Sequence, residues 1–463
     1  MCIGPPQSKD SYLKIPRLIA AAEITGADAI HPGYGFLAEN AEFAEICGAS
    51  GITFIGPTPE QIRVMGDKAS ARRAMAACGV PVVPGTPGPV DDVDDALTCA
   101  RQIGFPVIIK ASAGGGGKGM RVVRSSADLA DALASAKREA KNAFGDDAVY
   151  VEKYIEGPRH VEIQILADSH GNVLHLGERE CSVQRRHQKM IEEAPSVAVS
   201  PELRARMGAT AVAAARAAGY VNAGTCEFLL DRSGAYYFLE MNTRIQVEHP
   251  VTELVMGIDL VQWQIRIAAG ERVPFAQKDF TPRGWAIECR ITSEDPSNGF
   301  LPSIGRIAHL HVPTGPGVRW DGGIDAGGAI GLHYDPMLAK LIVHAPTRAL
   351  AIARMRRALL ELTIDGVETS RGFHVRVMDH PTFQSGDISI QWLEQTLDEL
   401  TAPTRDAATL RLAALTAALL THDERVNGNG ISVRPSTANA STNRHTSDRE
   451  TWTALARRDA LRS

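Results

Sequence analysis

"PVIIKASAGGGGKGMRVV", residues 106–123, sets one β-branched run ending at Lys110 against a second beginning at Arg121, with a glycine-rich loop between them. Gly114, Gly116 and Gly119 satisfy a G-x-G-x-x-G spacing, but another strand follows rather than a helix, so context excludes a dinucleotide-binding turn. A Walker A loop is excluded as well, because residue 112 is Ser rather than Gly and Lys118 is followed by Gly119. What remains is a glycine loop between two antiparallel strands. Such a loop lets backbone N–H groups approach phosphate oxygens while a nearby ammonium, here Lys110, adds a point charge; without a phosphate it is only a hairpin tip. Lys68, in "MGDKAS" at a helix start, is a second candidate phosphate contact.

The whole chain sets limits on function. Its 463 residues suffice for two or three domains with real cores, and 44% hydrophobic with 22% charged residues is ordinary globular composition. No run of about 18 apolar residues exists to span a membrane. A net charge of −5 and a pI near 6.3 give no electrostatic case for nucleic acid or anionic lipid. Seven cysteines lie scattered without a CxxC pair, which suggests neither a zinc site nor a disulfide framework and fits a reducing, cytoplasmic setting. The opening "MCIGPPQSKDSYL" lacks the basic and apolar regions of a secretory signal and reads like the interior of a domain.

Helix and strand alternate early: "PRLIAAAEITGA" helical, "DAIHPGYG" a strand, "NAEFAEICGASG" helical, "ITFIGP" a strand, which predicts a parallel sheet flanked by helices. From about residue 82 the pattern becomes α+β, with strands at "AVYVEKY", "HVEIQILAD" and "VLHLGERECS" and a hairpin over residues 222–248 turning at Arg232-Ser233-Gly234. After residue 400 come an Ala/Leu helix and a polar stretch over 425–450 that cannot bury a core.

In "EMNTRIQVEHPVTE", residues 240–253, Glu240, Asn242, Arg244, Gln246 and Glu248 occupy every second position. In an extended chain they form one polar row over a mostly apolar underside. Glu227, on the preceding strand, is expected directly opposite or diagonal to Glu240, and two carboxylates about 5 Å apart repel unless a cation lies between them. Oxygen ligands of this kind suit a magnesium ion shared with substrate phosphates; the alternative is a solvated face paired with Arg244. In "ERECSVQRRHQKMIEEAP", 178–195, seven of the first twelve residues are charged or histidine, which suits either a solvated loop or a grip on a ribose and an anion.

Taken together, "HPGYGFLAENAEFA", "MGDK", the glycine-loop stretch, "EKYIEGPRHVEIQILAD", "ECSVQRRHQKMIEEAP", "FLEMNTRIQVEHPVTE" and "IECRITSEDP" resemble the biotin carboxylase component of biotin-dependent carboxylases, in that family's order over residues 1 to about 400. The resemblance implies an α/β and α+β multidomain ATP-grasp fold. Its parts would be a truncated doubly wound N-terminal subdomain (1–56), a helical connector (57–81), a glycine-loop lid (82–154), a catalytic subdomain (155–280), a C-terminal biotin carboxylase domain (281–400) and a tail (401–463). The implied reaction uses ATP, Mg²⁺ or Mn²⁺ and bicarbonate to make carboxyphosphate and then carboxylates biotin borne by a partner, as in acetyl-CoA or propionyl-CoA carboxylase and fatty acid biosynthesis.

By the same resemblance Lys68, Lys110, Gly116 and Gly117 would hold the ATP phosphates. Glu152, Lys153, Tyr154 and Ile155 would receive adenine, largely through backbone groups, and His160, Gln184 and His187 would face ribose and phosphates. Glu227, Glu240 and Asn242 would bind metal. Lys189, Arg244, Gln246 and the Val247 backbone would hold bicarbonate, Glu248 would be its general base and Arg290 would stabilise the ureido oxygen of biotin. Arg319, Asp335, His31 and Cys181 are expected to be structural. Family members carry a further strand–helix–strand unit upstream that contributes to a dimer, so a sheet edge and apolar helix face are expected to be uncovered here, and the homodimer depends on that unit. The implied partners are a biotin carboxyl carrier and a carboxyltransferase, with no nucleic acid or membrane. Alternative readings are an inactive partner or regulatory subunit, and an ATP-grasp ligase of the carbamoyl-phosphate synthetase type.

Overall fold

The computed structural model describes residues 1–66, 68–90, 92–111, 120–402 and 407–427. Two units emerge, Met1–Ala402 and Pro403–Ser463; of the second, the described part is the helix Ala407–Asn427. The polar stretch expected as a linker lies, beyond Asn427, outside the described residues.

At the N-terminus two short strands, β1 (Ala29–Ile30) and β2 (Thr53–Phe54), pair in parallel, as the alternation predicts. Helices α1 (Ile15–Thr25) and α2 (Ala41–Ala49) pack there through Ile19, Ala22, Phe43 and Cys47. Asn40 starts α2 by accepting the Phe43 N–H at 2.7 Å, and Gly26 ends α1 in the left-handed region at φ 65°. Helices α3 (Pro59–Gly66) and α4 (Lys68–Ala77) follow.

The quoted stretch forms the antiparallel pair its reading requires: β3 (Val107–Ala111) and β4 (Arg121–Val123) pair with Val107 opposite Val123, and β5 (Val149–Lys153) flanks β3 on its other side. Val107, Ile109, Val149 and Val151 point to one face, where α5 (Val93–Ile103) and α6 (Leu129–Phe144) cover them. Gly116 and Gly117 lie outside the described residues.

The largest element is an eight-stranded sheet. Its order is β10 (Tyr236–Asn242), β9 (Asn222–Leu230), β6 (Arg159–Ala167), β7 (Val173–Arg185), β8 (Gln188–Ala194), β11 (Trp285–Thr292), then the strands Met337–Ala345 and Val318–Gly322. Strands from either side of residue 280 therefore share one sheet. Along β6, Val161, Ile163 and Ile165 alternate with His160, Glu162 and Gln164. The apolar set packs on α7 (Pro201–Ala217) through Leu203, Met207 and Ala211, and the polar set faces the other way. On that polar side α8 (His249–Met256) seats Val251 and Val255 against Ala194, Ala286 and Ile342.

Two register shifts decide which side chains reach the polar face. In β10, Phe238 pairs with Phe228 but Glu240 pairs with Glu227, so Leu239 is extra. A straight ladder would set Glu240 opposite Cys226 and leave it on the other face from Glu227. In β8, Lys189 pairs with Gln184 and Ile191 with Val183, so Met190 is extra and Lys189 shares a face with Glu192.

The row expected along residues 240–248 is corrected by the structure. β10 stops at Asn242, the chain bends, and Glu248 is the N-cap residue of α8. The polar row runs instead across the sheet, from Glu240 and Glu227 through Glu162, Arg179 and Lys189 to Glu192, Glu288, Arg290 and Lys340, at the roughly 4.8 Å spacing of strands rather than about 7 Å along one. Proline at the second helical position and the packing of α8 account for the bend, because both commit the chain to helix directly after Glu248.

Arg179 ties this ribbon to the sheet and to α8. Fully buried, it donates to Glu162 at 2.5 Å, Gln164 at 2.7 Å, Thr225 at 3.1 Å and Thr252 at 3.0 Å. Replacing it by Met leaves those acceptors without their donor. We expect Arg179→Met to lower stability by about 3–5 kcal/mol in urea unfolding; a loss under about 1 kcal/mol, the range of an exposed pair, would contradict this reading.

Candidate active site

The ribbon centres on two cations that share one carboxylate. Lys189 Nζ lies 2.5 Å from Glu162, 3.0 Å from Glu227 and 2.6 Å from Glu248. Arg290 donates through Nε to Glu192 at 2.6 Å and through Nη2 to Glu248 at 2.8 Å. Glu248 thus bridges β8 and β11 from the start of α8, with both oxygens turned to cations instead of capping the helix.

The shared charges shift Glu248, Glu227 and Lys189. Burial pushes the Glu248 carboxyl upward, but Lys189, Arg290 and Arg179 outweigh it and hold it well below 4.5. Glu227 is likewise driven up by burial and pulled further down by Lys189 and His160. Burial favours a neutral Lys189, yet Glu162, Glu227 and Glu248 keep its ammonium charged well above 10.5.

Glu227 gathers the metal-side residues. Its Oε1 accepts from Asn242 at 2.8 Å and Gln246 at 3.2 Å as well as from Lys189, and Glu240 stands opposite it in the ladder on the same face. His160 Nε2 lies 3.0 Å from Glu227 Oε2, off the line of a hydrogen bond, while its Nδ1 meets Gln184 Nε2 at 2.6 Å. Ligand atoms of His160, Glu162 and Glu227 fall within 4.8 Å of one another, a spacing one cation can span. The oxygen donors of Glu162, Glu227, Glu240 and Asn242 suit a hard divalent cation such as Mg²⁺.

Arg244 Nη1 donates to Gln246 at 2.9 Å and Nη2 to Asn242 at 3.2 Å, while Nε pairs with Glu39 at 2.9 Å. Glu39 also accepts the Thr243 N–H at 2.9 Å, so the N-terminal segment fixes the bend after β10. The Val247 carbonyl accepts from Lys340 at 2.8 Å.

Lys110 on β3 reaches Glu152 of the neighbouring β5 at 2.7 Å, and Arg72 bonds the other Glu152 oxygen. The Lys153 and Tyr154 N–H groups already donate to Pro84 at 2.8 Å and Pro106 at 3.1 Å, and Lys153 Nζ caps Gly104 and Phe105, so these two residues hold the β5 end in place; Ile155 follows them, half-buried. His187 stands apart from the ribbon, exposed at the β7–β8 hairpin tip with φ 66°, next to Arg186 at φ 49°. Two non-glycine residues in the left-handed region form a strained turn of the kind that clusters at ligand sites. The side chain of Lys68, at the start of α4, lies outside the described residues.

Of the residues expected to be structural, Arg319 pairs with Glu253 at 2.7 Å and Asp321 at 2.8 Å, Asp335 accepts the Met337 N–H at 2.9 Å, His31 Nδ1 accepts the Gly33 N–H at 3.1 Å, and Cys181 is fully buried. Sequence reading passed over Glu162, Arg179, Glu192, Glu288, Lys340 and Glu39. The alternation of His160, Glu162 and Gln164 with Val161 and Ile163 was a usable signal for the first of these.

Removing Lys189 tests the charge balance. Because Glu227 and Glu248 sit below their unfolded value, the stability they contribute is present above about pH 4.5 and is lost as the pH falls through their folded values. Lys189→Met is therefore expected to be destabilised most at pH 7, with the gap to the wild type narrowing below about pH 4.5 in urea unfolding. A gap independent of pH would refute the assignment.

Comparison with known proteins gives the family. Residues 1–62 match the biotin carboxylase N-terminal domain, 67–276 the ATP-binding domain of the carbamoyl-phosphate synthase L chain and 288–395 the biotin carboxylase C-terminal domain. The chain is 56% identical over 398 residues to the biotin carboxylase of Haemophilus influenzae, covering 86% of this chain and 88% of the relative. It is 53% identical over 394 residues to biotin carboxylase 1 of Bacillus subtilis, covering 85% and 88%. Among solved structures, the biotin carboxylase domain dimer of Hydrogenobacter thermophilus 2-oxoglutarate carboxylase, in complex with MgADP, ADP and bicarbonate, aligns with TM-score 0.79 at 48% identity, covering 86% of this chain and 88% of that one. A Campylobacter jejuni biotin carboxylase complex with β,γ-ATP aligns with TM-score 0.78 at 49% identity, covering 84% and 86%. With its ATP-grasp architecture, the chain belongs to the biotin carboxylase family of ATP-dependent ligases.

Proposed function

We propose that this chain uses MgATP and bicarbonate to carboxylate biotin held on a carrier, passing through carboxyphosphate, within an acyl-CoA carboxylase acting on acetyl-CoA or propionyl-CoA. The observation that carries the reading is the Glu248 clasp: one buried carboxylate held between Lys189 and Arg290, on the face where Glu227 and Glu240 are opposed.

Glu227, Glu240 and Asn242 hold the metal, which would neutralise charge on the phosphates. Lys110, with Lys68, Gly116 and Gly117, meets the phosphates. The segment from Glu152 to Ile155 lies along adenine, and Gln184, His160 and His187 along the ribose side. Lys189, Arg244, Gln246 and the Val247 backbone seat bicarbonate beside Glu248. An empty clasp makes Glu248 a weak base, because both cations favour its ionised form. Bicarbonate entering between Lys189 and Arg290 draws on the same charges, so the Glu248 carboxyl rises as its substrate arrives and it takes the proton as general base. Arg290 then stabilises negative charge on the ureido oxygen of biotin.

The division at residues 56, 81, 154, 280 and 400 belongs to this reading, as do a carboxyltransferase partner, a homodimer and a cytoplasmic setting. Among the described residues no helix is long and apolar enough to cross a membrane.

ATP hydrolysis that requires bicarbonate and is stimulated by free biotin tests the proposal. Biotin-independent turnover with an amine, or no turnover, would overturn it. Arg290→Ala is expected to leave the ATP KM near its wild-type value while abolishing biotin carboxylation; equal loss of both would misplace its role. Glu240→Gln should raise the magnesium concentration needed for half-maximal rate, and an unchanged requirement would remove Glu240 from the metal site.

A further inference from the structure

Behind Arg290 the ribbon holds two carboxyls that the proposed reaction does not use. Glu192 on β8 and Glu288 on β11 pair directly across the ladder, and neither has any exposed surface. Side chains so placed have Cβ atoms about 5 Å apart. Glu192 spends one oxygen on Arg290; among the described residues its Oε2 has no hydrogen-bond partner, and neither oxygen of Glu288 has one.

The pairing of charges isolates Glu288. Glu162 is bonded to Arg179 and Lys189, Glu227 to Lys189, Glu248 to Lys189 and Arg290, and Glu192 to Arg290. Lys340, the next cation along, is committed to the Val247 carbonyl at 2.8 Å and to Asp321 at 3.5 Å. Among these five carboxyls Glu288 alone has no bonded cation. An ionised carboxylate so buried, facing a second one, would go unpaid by any partner.

We propose that Glu192 and Glu288 hold one proton between them and act as positioning residues for Arg290, Glu192 as the carboxylate that fixes Nε and Glu288 as the neutral acid opposite it. The functional consequence rests on the role given to Arg290 above. With Nε anchored by Glu192, the guanidinium is held in one plane and its Nη2 edge is directed to Glu248 and the substrate side. A second full negative charge at Glu288 would compete for the same guanidinium, and a proton there removes the competition.

The electrostatics agree. Burial drives Glu288 well above 4.5, with Lys340 and Arg290 only partly opposing it and Glu192 adding to it. Burial also lifts Glu192 to about 7, against Arg290 and Lys189 and with Glu248. Tyr34 also feels Glu288, its phenol raised by burial and then by that carboxyl, and the buried thiols of Cys289 and Cys181 are raised by burial first and by Glu192 as well. Asp321 and His249, the latter lowered by burial to about 3 and hence neutral, act on Lys340 rather than on the pair.

Infrared spectra at pH 8 of the wild type and of Glu288→Gln, an isostere of the neutral acid, test the proton. The wild type should show a protonated-carboxyl carbonyl band that the variant lacks; identical spectra would overturn the proposal. In turnover, Glu288→Gln should match the wild type in rate and pH profile. Glu192→Gln should lose about 10-fold or more in biotin-dependent rate with the ATP KM unchanged. The wild type is expected to rise in rate through about pH 7 at equal bicarbonate, as the Glu192 carboxyl ionises, and Glu192→Gln should lack that rise. A Glu288→Gln loss as severe as that of Glu192→Gln, or a Glu192→Gln profile that keeps the rise, would overturn the positioning role. Circular dichroism is the check that both variants fold. Absence of biotin-stimulated turnover in the wild type would sink the functional reading instead, and the infrared comparison would still decide the proton.

Discussion

One fully buried carboxylate, Glu248, accepts from Lys189 and Arg290, which come from different strands and serve different ends of the ribbon. Lys189 connects it to Glu162 and Glu227, and Arg290 to Glu192. Charges taken out of water cost several kcal/mol each, so an arrangement like this persists only where each ion is paired and its remaining lone pairs are met. A hydrophobic isostere would often serve stability as well; what it could not supply is a set of opposed charges held at fixed distances before any substrate arrives.

The sheet provides that fixity. A face carrying Glu162, Arg179, Lys189 and Arg290 is backed on its reverse by Val161, Ile163, Ile191 and Cys289, which sit in hydrophobic cores. Glu162 and Arg290 are therefore flanked on their own strands by apolar neighbours one residue away, and Lys189 by Met190 on one side. α8 closes the polar side, and Glu253 within it is in turn held by Arg319 at 2.7 Å and by the Leu260 N–H at 2.8 Å. The N-terminal segment reaches the site as well, through Glu39 on Arg244 and Thr243.

Much of this was legible in the sequence, because the motifs are long and the local chemistry is strongly patterned. The antiparallel strands on either side of the glycine loop and the hairpin turning at Arg232-Ser233-Gly234 follow from strand periodicity and turn residues, whereas the direct opposition of Glu227 and Glu240, one of two expected registers, is settled by the extra Leu239. The direction of the polar row did not follow. An alternating stretch such as residues 240–248 looks the same whether it runs on as a strand or breaks after Asn242, and packing of α8 decides the break. Nor does a sequence announce that Leu239 and Met190 are extra residues, although those two shifts bring Glu240 and Lys189 to the working face. Glu288 was passed over for a related reason, since an acid inside a mostly apolar strand shows its partners only when the neighbouring strands are in place; Arg179, between Glu178 and Glu180, was hidden in a charge run that reads equally well as a solvated loop.

The claim that Glu248 couples the two ends of the ribbon is most directly tested by a double-mutant cycle on stability between Lys189→Met and Arg290→Met. The two cations do not bond each other, and Glu248 is their shared partner. The account predicts an interaction energy of at least about 1 kcal/mol in urea unfolding at pH 7, since the double variant strips Glu248 of both bonded cations at once; additivity within about 0.5 kcal/mol would contradict it.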